Sequence, residues 1–485
     1  MYRHWTMVAT ILVSAVVVQI PLVLNADLGW LLTVNEMILA GQKLGADLFE
    51  SNPPLSVYMY MPAAWLGRST GVAPELVVIF LVIVEIVVAL VVIESANVAA
   101  KLEAGERSVF LRSFAFLLAL LPGAVFGQRE HIAVVALTPF VAVAALRWRG
   151  LCPGRAAAVA GLGAGLAMSI KPFFALVVGL PIIANVVRQR SLRPLLIPEA
   201  LSAAIVVIGY AVVVATVFDE YLSVYAPMVA EAYLPVRKEF GSLLPLPIAM
   251  IGGSIVFLRL LAPRQFRVAG DATPWLAASV GGAASFLLQG KSWPYMAFGL
   301  SVFAIAAPLL QVRTTTLRKS AAIGGAASMV LIAAYLSSPP PDFPPLAERI
   351  QALVKHPRLL TITDHIGLGH PLVRELDGVW VGRSCAELLA GGAIWREQDP
   401  QLSDDARARL DNIASFEKRQ LLTSLRIGRP DVVLVDTYLF STIPFDWLSW
   451  AKSDPEIRAE LGRFHEVKGV GRVRIFVSES QPPGA

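Results

Sequence analysis

The sequence predicts an α-helical membrane protein with about eleven transmembrane helices, followed by a small soluble α/β domain. Two observations lead to this prediction. First, 56% of the 485 residues are apolar and 16% are charged, with a mean hydropathy of +0.63, whereas a soluble domain carries about 25% charged residues. Second, the apolar residues form long uncharged runs that end near residue 337, and the rest has the composition of a water-soluble domain.

A transmembrane helix needs about 20 mostly apolar residues, and eleven runs approach this length. They are residues 7–24, 74–97, 109–126, 131–147, 155–170, 172–188, 197–218, 243–261, 272–289, 293–311 and 319–337. We interpret the first run as an anchor, since no small-residue cleavage site of a signal peptide follows it. The tail alternates predicted strands with a helical stretch, namely strands at 359–364, 378–382, 431–436 and 473–478 and a helix within 402–426. The predicted parts are therefore a transmembrane domain (1–338), a Pro-rich linker (339–347) and an α/β domain (348–485).

The basic residues predict the orientation of the spans. Arg and Lys cluster in one set of loops, at 101–112, 147–155, 188–193, 259–267 and 313–319, and such loops face the cytoplasm. The N-terminus then lies inside, and the odd number of spans places the C-terminal domain outside. The sequence pI of about 9.2 follows from this topology, so we expect membrane lipids and no nucleic acid as partners. The expected location is the cytoplasmic (inner) membrane.

Several polar residues lie at the predicted outer ends of the spans. The first outer loop (25–73) has two stretches, 28–40 and 54–67, that are apolar on one side and predict interfacial helices. Polar residues at membrane depth are costly and are therefore candidates for function. The candidates in chain order are Asp27, Glu36, Glu50, Asn52, Arg129, Glu130, His131, Lys171, Lys291, Trp293 and Tyr295.

This set of side chains suits a reaction between a phosphate-linked sugar and a hydroxyl group. An anionic phosphate needs Lys or Arg, which makes Arg129, Lys171 and Lys291 the candidates for phosphate binding. A hydroxyl acceptor needs a carboxylate base within hydrogen-bond reach, for which Asp27 and Glu130 are the candidates. Carboxylates, amides and aromatic rings that bind a sugar or acceptor are supplied by Glu36, Glu50, Asn52, His131, Trp293 and Tyr295.

The sequence indicates no cofactor. Its two cysteines, Cys152 and Cys385, form no metal-binding motif, and the histidines lack metal-ligand spacing. A divalent cation is compatible with the candidate residues but is not indicated by them.

Residues 5–310 resemble the GT-C superfamily of membrane glycosyltransferases, which includes protein O-mannosyltransferases and the enzymes that transfer aminoarabinose or galacturonate to lipid A. The resemblance rests on Asp27 after the first span, a helix ending at Ala40-Gly41, Pro53-Pro54-Leu55, Glu130, Lys171-Pro172 in place of a Lys-Gly-Pro element, and Lys291 to Tyr295. The sequence departs from the mannosyltransferases at one point, because Leu28 follows Asp27 where they have an Asp-Glu pair.

The resemblance implies that a sugar passes, with inversion, from a polyprenyl phosphate to an acceptor hydroxyl on a glycan, lipid or protein at the outer face of the membrane. Asp27 would be the general base, and Glu130 would orient Asp27 or the acceptor. Arg129, Lys171 and Lys291 would bind the phosphate and stabilise the leaving group.

Other functions and structural roles remain open at this stage. A transporter or flippase for a lipid-linked saccharide is one alternative, although transporters are typically built from repeats and the sequence shows none. A polymerase or ligase and a non-catalytic membrane subunit are the others. Structurally, Asp27 is suited to cap the helix that begins at Leu28, and Glu130 to form an ion pair. Lys171 is suited to snorkel, His131 to pack, and Trp293 and Tyr295 to anchor at the membrane interface.

Overall fold

The computed structural model describes residues 2–22, 24–261, 271–311 and 343–479. Contacts divide the chain into two compact units, which differ from the predicted domains. The helical unit comprises Met1–Leu22, Thr70–Val213 and Arg237–Ser338, and the sheet unit comprises Val23–Ser69, Val214–Val236 and Pro339–Ala485. Most of the first outer loop (25–73) and most of a second predicted outer loop (about 219–242) therefore belong to the sheet unit and not to the helical unit.

The helices of the helical unit follow the predicted spans closely. They are Tyr2–Gln19, Pro74–Ala99, Ala104–Ala119, Arg129–Trp148, Ala156–Ile170, Ala175–Gln189, Pro198–Val217, Pro245–Leu261, Thr273–Gln289 and Phe298–Leu309. In the described part of the chain, five helical stretches are long and apolar enough to cross a membrane: Pro74–Ala99, Arg129–Trp148, Pro172–Gln189, Pro198–Val217 and Phe240–Arg259. The predicted eleventh span, 319–337, lies outside the described residues, so the number of spans stays a prediction.

Small residues set the packing of the helix Ala156–Ile170. A Cβ atom added to Gly163 would collide with the carbonyl group of Ala136, and one added to Gly165 would lie 2.6 Å from Cβ of Val206. The hydroxyl of Ser202 donates a hydrogen bond to the carbonyl of Ala158 (2.8 Å). Small residues allow such close approach of backbones between membrane helices, and this packing fixes the end of the helix, where Lys171 lies.

The sheet unit contains a five-stranded mixed sheet. Its strands belong to a series of seven, β1 (Arg358–Ile362), β2 (Val379–Trp380), β3 (Val432–Val435), β4 (Tyr438–Leu439), β5 (Ile443–Pro444), β6 (Phe464–Val470) and β7 (Val473–Ser478). The strand order is β2-β1-β3-β7-β6, and β4 and β5 form a separate two-stranded ladder. β1 pairs in parallel with β2 and β3, while β7 pairs antiparallel with β3 and β6. The four predicted strands coincide with β1, β2, β3 and β7.

Burial explains which strands the sequence reveals. Every residue of β3 and four of five in β1 are buried, as expected for strands covered on both faces, which read as continuous apolar runs. β6 was not predicted, because none of its residues is buried and its sequence has no apolar run.

The helices of this region are Phe343–Gln351, Leu372–Glu375, Leu388–Arg396, Asp404–Thr423, Trp447–Lys452 and Pro455–Leu461. Asp404–Thr423 is the predicted helix within 402–426, and Phe343–Gln351 occupies part of the predicted linker.

The two outer loops belong to the sheet unit because their side chains pack against its C-terminal residues. Phe49 of the first loop stacks on Tyr225 of the second at a ring-centroid distance of 5.7 Å, and its edge meets Phe416 at 5.1 Å. Arg396 donates to both the backbone carbonyl (2.7 Å) and the carboxylate (2.8 Å) of Glu231 in the second loop. Three segments that are distant in sequence therefore share one core.

The first outer loop forms the helices Ala26–Leu39, Pro54–Tyr58 and Met61–Thr70, close to the two predicted interfacial helices. We call Ala26–Leu39 the Asp27 helix. All residues of the Asp27 helix from Leu28 to Asn35 are buried. The polar side chain of Thr33 meets Arg374 and that of Asn35 meets the backbone of Val57; the location of this helix at the membrane interface stays a prediction.

Candidate functional site

A buried ion pair joins two of the candidate residues of the helical unit. The ammonium group of Lys171 donates a hydrogen bond to a carboxylate oxygen of Glu130. The Glu130 side chain is 2% exposed and lies in the first turn of the helix Arg129–Trp148. A charged pair at this depth needs such direct contact, because an isolated charge is costly to bury.

Pro172 explains the position of Lys171. The residue before a proline disfavours the helical conformation, and Lys171 is extended (φ −149°, ψ 112°) directly after the helix Ala156–Ile170. A short 3₁₀ turn, Pro172–Phe174, follows. The Lys-Pro pair thus ends one helix and leaves a lysine at its end, which is the arrangement that the sequence predicts.

Two aromatic residues extend this pair toward a second lysine. The ammonium of Lys171 lies 5.7 Å from the ring centroid of Tyr295, and the rings of Tyr295 and Trp293 are 5.6 Å apart. The ammonium of Lys291 lies 5.8 Å from the Trp293 ring. Trp293 is 37% exposed, so its ring has a surface that a ligand can reach.

The surroundings of Lys291 are rich in positive charge. Burial, followed by the charges of Arg237 and Lys171, lowers the pKa of Lys291 from 10.5 to about 7. A Cβ atom added to Gly290 would lie 2.8 Å from the Arg237 side chain, and the backbone N–H of Lys238 donates to the carbonyl of Gly290 (2.8 Å). Arg129 is also buried, at 5% exposed, next to Glu130 in sequence. We call Arg129, Lys171, Arg237 and Lys291 the cation cluster.

His131 packs inside the helical unit with both ring nitrogens hydrogen-bonded, and its predicted contact with substrate stays a prediction. The backbone N–H of Gly127 donates to Nδ1 of His131 (2.9 Å), so Nε2 carries the proton that bonds to the carbonyl of Leu118 (2.7 Å). The ring is fully buried between Phe126 and Phe298, at centroid distances of 4.8 and 5.2 Å. Both ring nitrogens are therefore used to join backbone segments.

Asp27 is not the cap of its helix, although the sequence allowed that role. The helix begins at Ala26, and Asn25 is the N-cap: its side-chain oxygen accepts from the backbone N–H of Asp27 (3.0 Å). Asp27 lies in the first turn, where a carboxylate is favoured by the helix dipole. Its carboxylate is thus not needed to cap the helix.

The other acidic candidates of the first loop have protein partners. Glu36 forms two hydrogen bonds with the guanidinium group of Arg374, at 2.6 and 3.0 Å. Glu50 is buried and accepts from the indole N–H of Trp30 and from the side chain of Asn52. The contacts of Glu36 and Glu50 with substrate stay predictions. Such contacts would require Glu36 to separate from Arg374, and Glu50 from Trp30 and Asn52.

Sequence reasoning missed Asn25 and Arg374, which contact candidate residues of the sheet unit, and Arg237, which lies beside Lys291 in the helical unit. The Asn-Ala-Asp order at the start of the helix is a capping signal that could have identified Asn25. Arg237 and Arg374 lie in no motif, and only the fold brings them to Lys291 and Glu36. Within the described residues, no group of three or more His, Cys, Asp or Glu side chains is arranged to hold a metal ion.

No protein-family model and no curated protein matches the sequence. Two solved structures of ArnT from Cupriavidus metallidurans are similar to it in fold. The apo structure is 14% identical over 97% of both chains, with a TM-score of 0.52. The structure bound to undecaprenyl phosphate is 14% identical over 100% of both chains, with a TM-score of 0.51. The chain therefore shares the fold of ArnT, and it is a multi-pass membrane protein.

Proposed function

We propose that this protein is a glycosyltransferase that moves a sugar from a polyprenyl-phosphate-linked donor to an acceptor hydroxyl. The observation that carries the proposal is the cation cluster, in which the charges of Arg237 and Lys171 act on the buried ammonium group of Lys291. The GT-C fold supports the same class of reaction. ArnT, which has this fold, binds undecaprenyl phosphate in one of its structures.

The cation cluster is suited to the phosphate of the donor. A phosphate near Lys291 would relieve the repulsion that Arg237 and Lys171 impose on it, and Arg adds paired donors for the phosphate oxygens. Glu130 holds Lys171 through their hydrogen bond, so we propose that it positions this lysine. Trp293 offers an exposed ring for the sugar or the lipid chain.

Asp27 is the proposed general base. Its carboxylate takes the proton of the acceptor hydroxyl while that oxygen attacks the anomeric carbon, and the bond from this carbon to the phosphate oxygen breaks. The products are the glycoside, with inverted configuration, and polyprenyl phosphate, whose developing charge the cation cluster stabilises. A carboxylate base contributes about 10²–10⁴-fold to such a step.

The basic loops support a location in the cytoplasmic membrane, with Asp27 and the cation cluster at its outer face. The acceptor is then a glycan, lipid or protein on that side. The donor comes from within the membrane, which suits a site made by residues at the ends of membrane helices.

The proposal is tested with the purified protein in detergent or liposomes and a panel of radiolabelled polyprenyl-phosphate sugars. We expect one donor to yield a labelled acceptor and free polyprenyl phosphate in equal amounts. Asp27→Asn should abolish most of this transfer while it still binds undecaprenyl phosphate. Asp405→Asn, an exposed carboxylate in the C-terminal region, is the matched control and should be active.

Two results would overturn the proposal. Movement of the labelled lipid across liposomes without release of polyprenyl phosphate would favour the transporter alternative. Failure of wild type to bind undecaprenyl phosphate any better than a variant with Lys171 and Lys291 both replaced by Met would remove the phosphate site.

A further inference from the structure

The Asp27 helix is packed against the C-terminal part of the sheet unit. The indole ring of Trp30 lies 5.2 Å from the ring of His370 and 6.4 Å from that of Trp380. Gly29 permits this approach, because a Cβ atom at its position would lie 3.3 Å from Cα of Pro371. The first turn of the helix, which carries Asp27, is therefore in contact with a segment more than 300 residues away in sequence.

An ion pair fixes the other end of the same helix. Arg374 donates to both carboxylate oxygens of Glu36, at 2.6 and 3.0 Å, and to the hydroxyl of Thr33 at 3.3 Å. Exposed ion pairs contribute little in general, but a bidentate Arg–carboxylate geometry is the favourable case. The Arg374 side chain is 15% exposed, so water only partly competes for these bonds.

These contacts determine the rotation of the helix about its axis. Trp30, Thr33 and Glu36 follow Asp27 at intervals of three residues, and each such step turns by about 300°. Around the helix axis Trp30 therefore lies about 60° from Asp27, and Glu36 lies about 180° from it. Holding Trp30, Thr33 and Glu36 against the C-terminal residues therefore fixes the direction in which Asp27 points.

A second C-terminal segment reaches the same region. The guanidinium of Arg383 donates to the carbonyls of Asp47 (2.8 Å) and Ala46, and the backbone N–H of Phe49 donates to the carbonyl of Arg383 (2.8 Å). The segment after β2 thus contacts the first outer loop at Ala46, Asp47 and Phe49.

We propose that Arg374 is a positioning residue for glycosyl transfer, through which the C-terminal domain holds the Asp27 helix in the orientation that the reaction needs. This inference rests on the proposed role of Asp27 as the base. It assigns the C-terminal domain to the catalytic machinery itself, as the support of the helix that carries the base. A displacement of about 1 Å is enough to lower a rate by about 10²-fold.

The test compares two bidentate Arg–Glu pairs of the sheet unit in the full-length protein. Arg374→Glu places two carboxylates together at the Asp27 helix, while Arg474→Glu does the same to Glu466 on the hairpin of β6 and β7, where the present bonds are 2.8 and 2.7 Å. Hydrogen exchange of residues 28–39 reports the helix, and steady-state kinetics report the reaction. Arg374→Gln is a milder variant in case the charge reversal prevents folding.

In Arg374→Glu we expect the backbone amides of residues 28–39 to exchange their hydrogens at least about tenfold faster than in wild type. We also expect kcat to fall at least about tenfold, with the KM for the lipid donor unchanged. The double variant Arg374→Glu with Glu36→Arg should recover the slow exchange of residues 28–39, and Arg474→Glu should alter neither the exchange nor kcat. Equal effects of the Arg374 and Arg474 variants, or no recovery of the slow exchange in the double variant, would overturn the inference. A fully active Asp27→Asn would instead overturn the proposed base, and the exchange data would still show whether Arg374 holds the helix.

Discussion

The side-chain oxygen of Asn25 accepts a hydrogen bond from the backbone N–H of Asp27, at 3.0 Å. This bond assigns the capping of the helix to Asn25, so Asp27 is not required as the cap. The two residues can therefore be tested separately, although they are two positions apart.

Asp27→Asn should fold normally and lose at least about 100-fold in turnover, because the amide keeps the shape of the carboxylate but accepts no proton. Asn25→Ala should show the opposite pattern, a loss of about 1 kcal/mol in stability through the missing cap with most of the turnover retained. Thermal unfolding and sugar transfer measured on both variants check this. Near-normal turnover by Asp27→Asn would exclude it as the base.

Lys171→Ala should destabilise the protein by up to about 3–5 kcal/mol, since it removes the cation that is hydrogen-bonded to the buried carboxylate of Glu130. A double variant, Lys171→Met with Glu130→Gln, removes both charges and should recover much of this stability. It should remain inactive, because the phosphate loses a cation. Unfolding and transfer assays on the same preparations separate the two effects, and an active double variant would contradict the proposed phosphate site.

Binding of undecaprenyl phosphate should weaken as the pH rises above 7. Lys291, whose pKa is lowered to about 7, is charged below that pH and loses its charge above it, and the neutral amine attracts a phosphate less. Lys291→Arg should flatten this part of the profile, because Arg stays protonated throughout. Binding measured from pH 6 to 9 checks this, with Lys355→Arg as a control. The ionisation of the phosphate is common to all variants and cancels in the comparison.

Position 405 should be labelled from outside the cell. Asp405 is exposed in the sheet unit, and Cys152 is exposed in a loop predicted to face the cytoplasm. In a Cys385→Ser background, an impermeant thiol reagent should react with Asp405→Cys in intact cells and with Cys152 only after lysis. The reverse order would overturn the predicted orientation.

The apolar helices and four strands could be predicted because their signals are local. A span is recognised from about 20 consecutive apolar residues, and buried strands such as β1 and β3 from short apolar runs. The Lys-Pro pair at Lys171 likewise predicts a helix end, because the clash that a proline causes involves its immediate neighbour. β6 has no such signal, since its residues face solvent.

The sequence by itself therefore determined which segments are helices and which polar residues stand at their ends. Only the tertiary structure decided the partners: Lys171 with Glu130 across 41 positions, and Arg374 with Glu36 across 338. It likewise joined the two outer loops and the C-terminal residues in one unit. The physical reason is that backbone hydrogen bonding and hydropathy act between neighbours in the chain, whereas an ion pair depends on which helix faces meet, and that is fixed by packing over the whole fold.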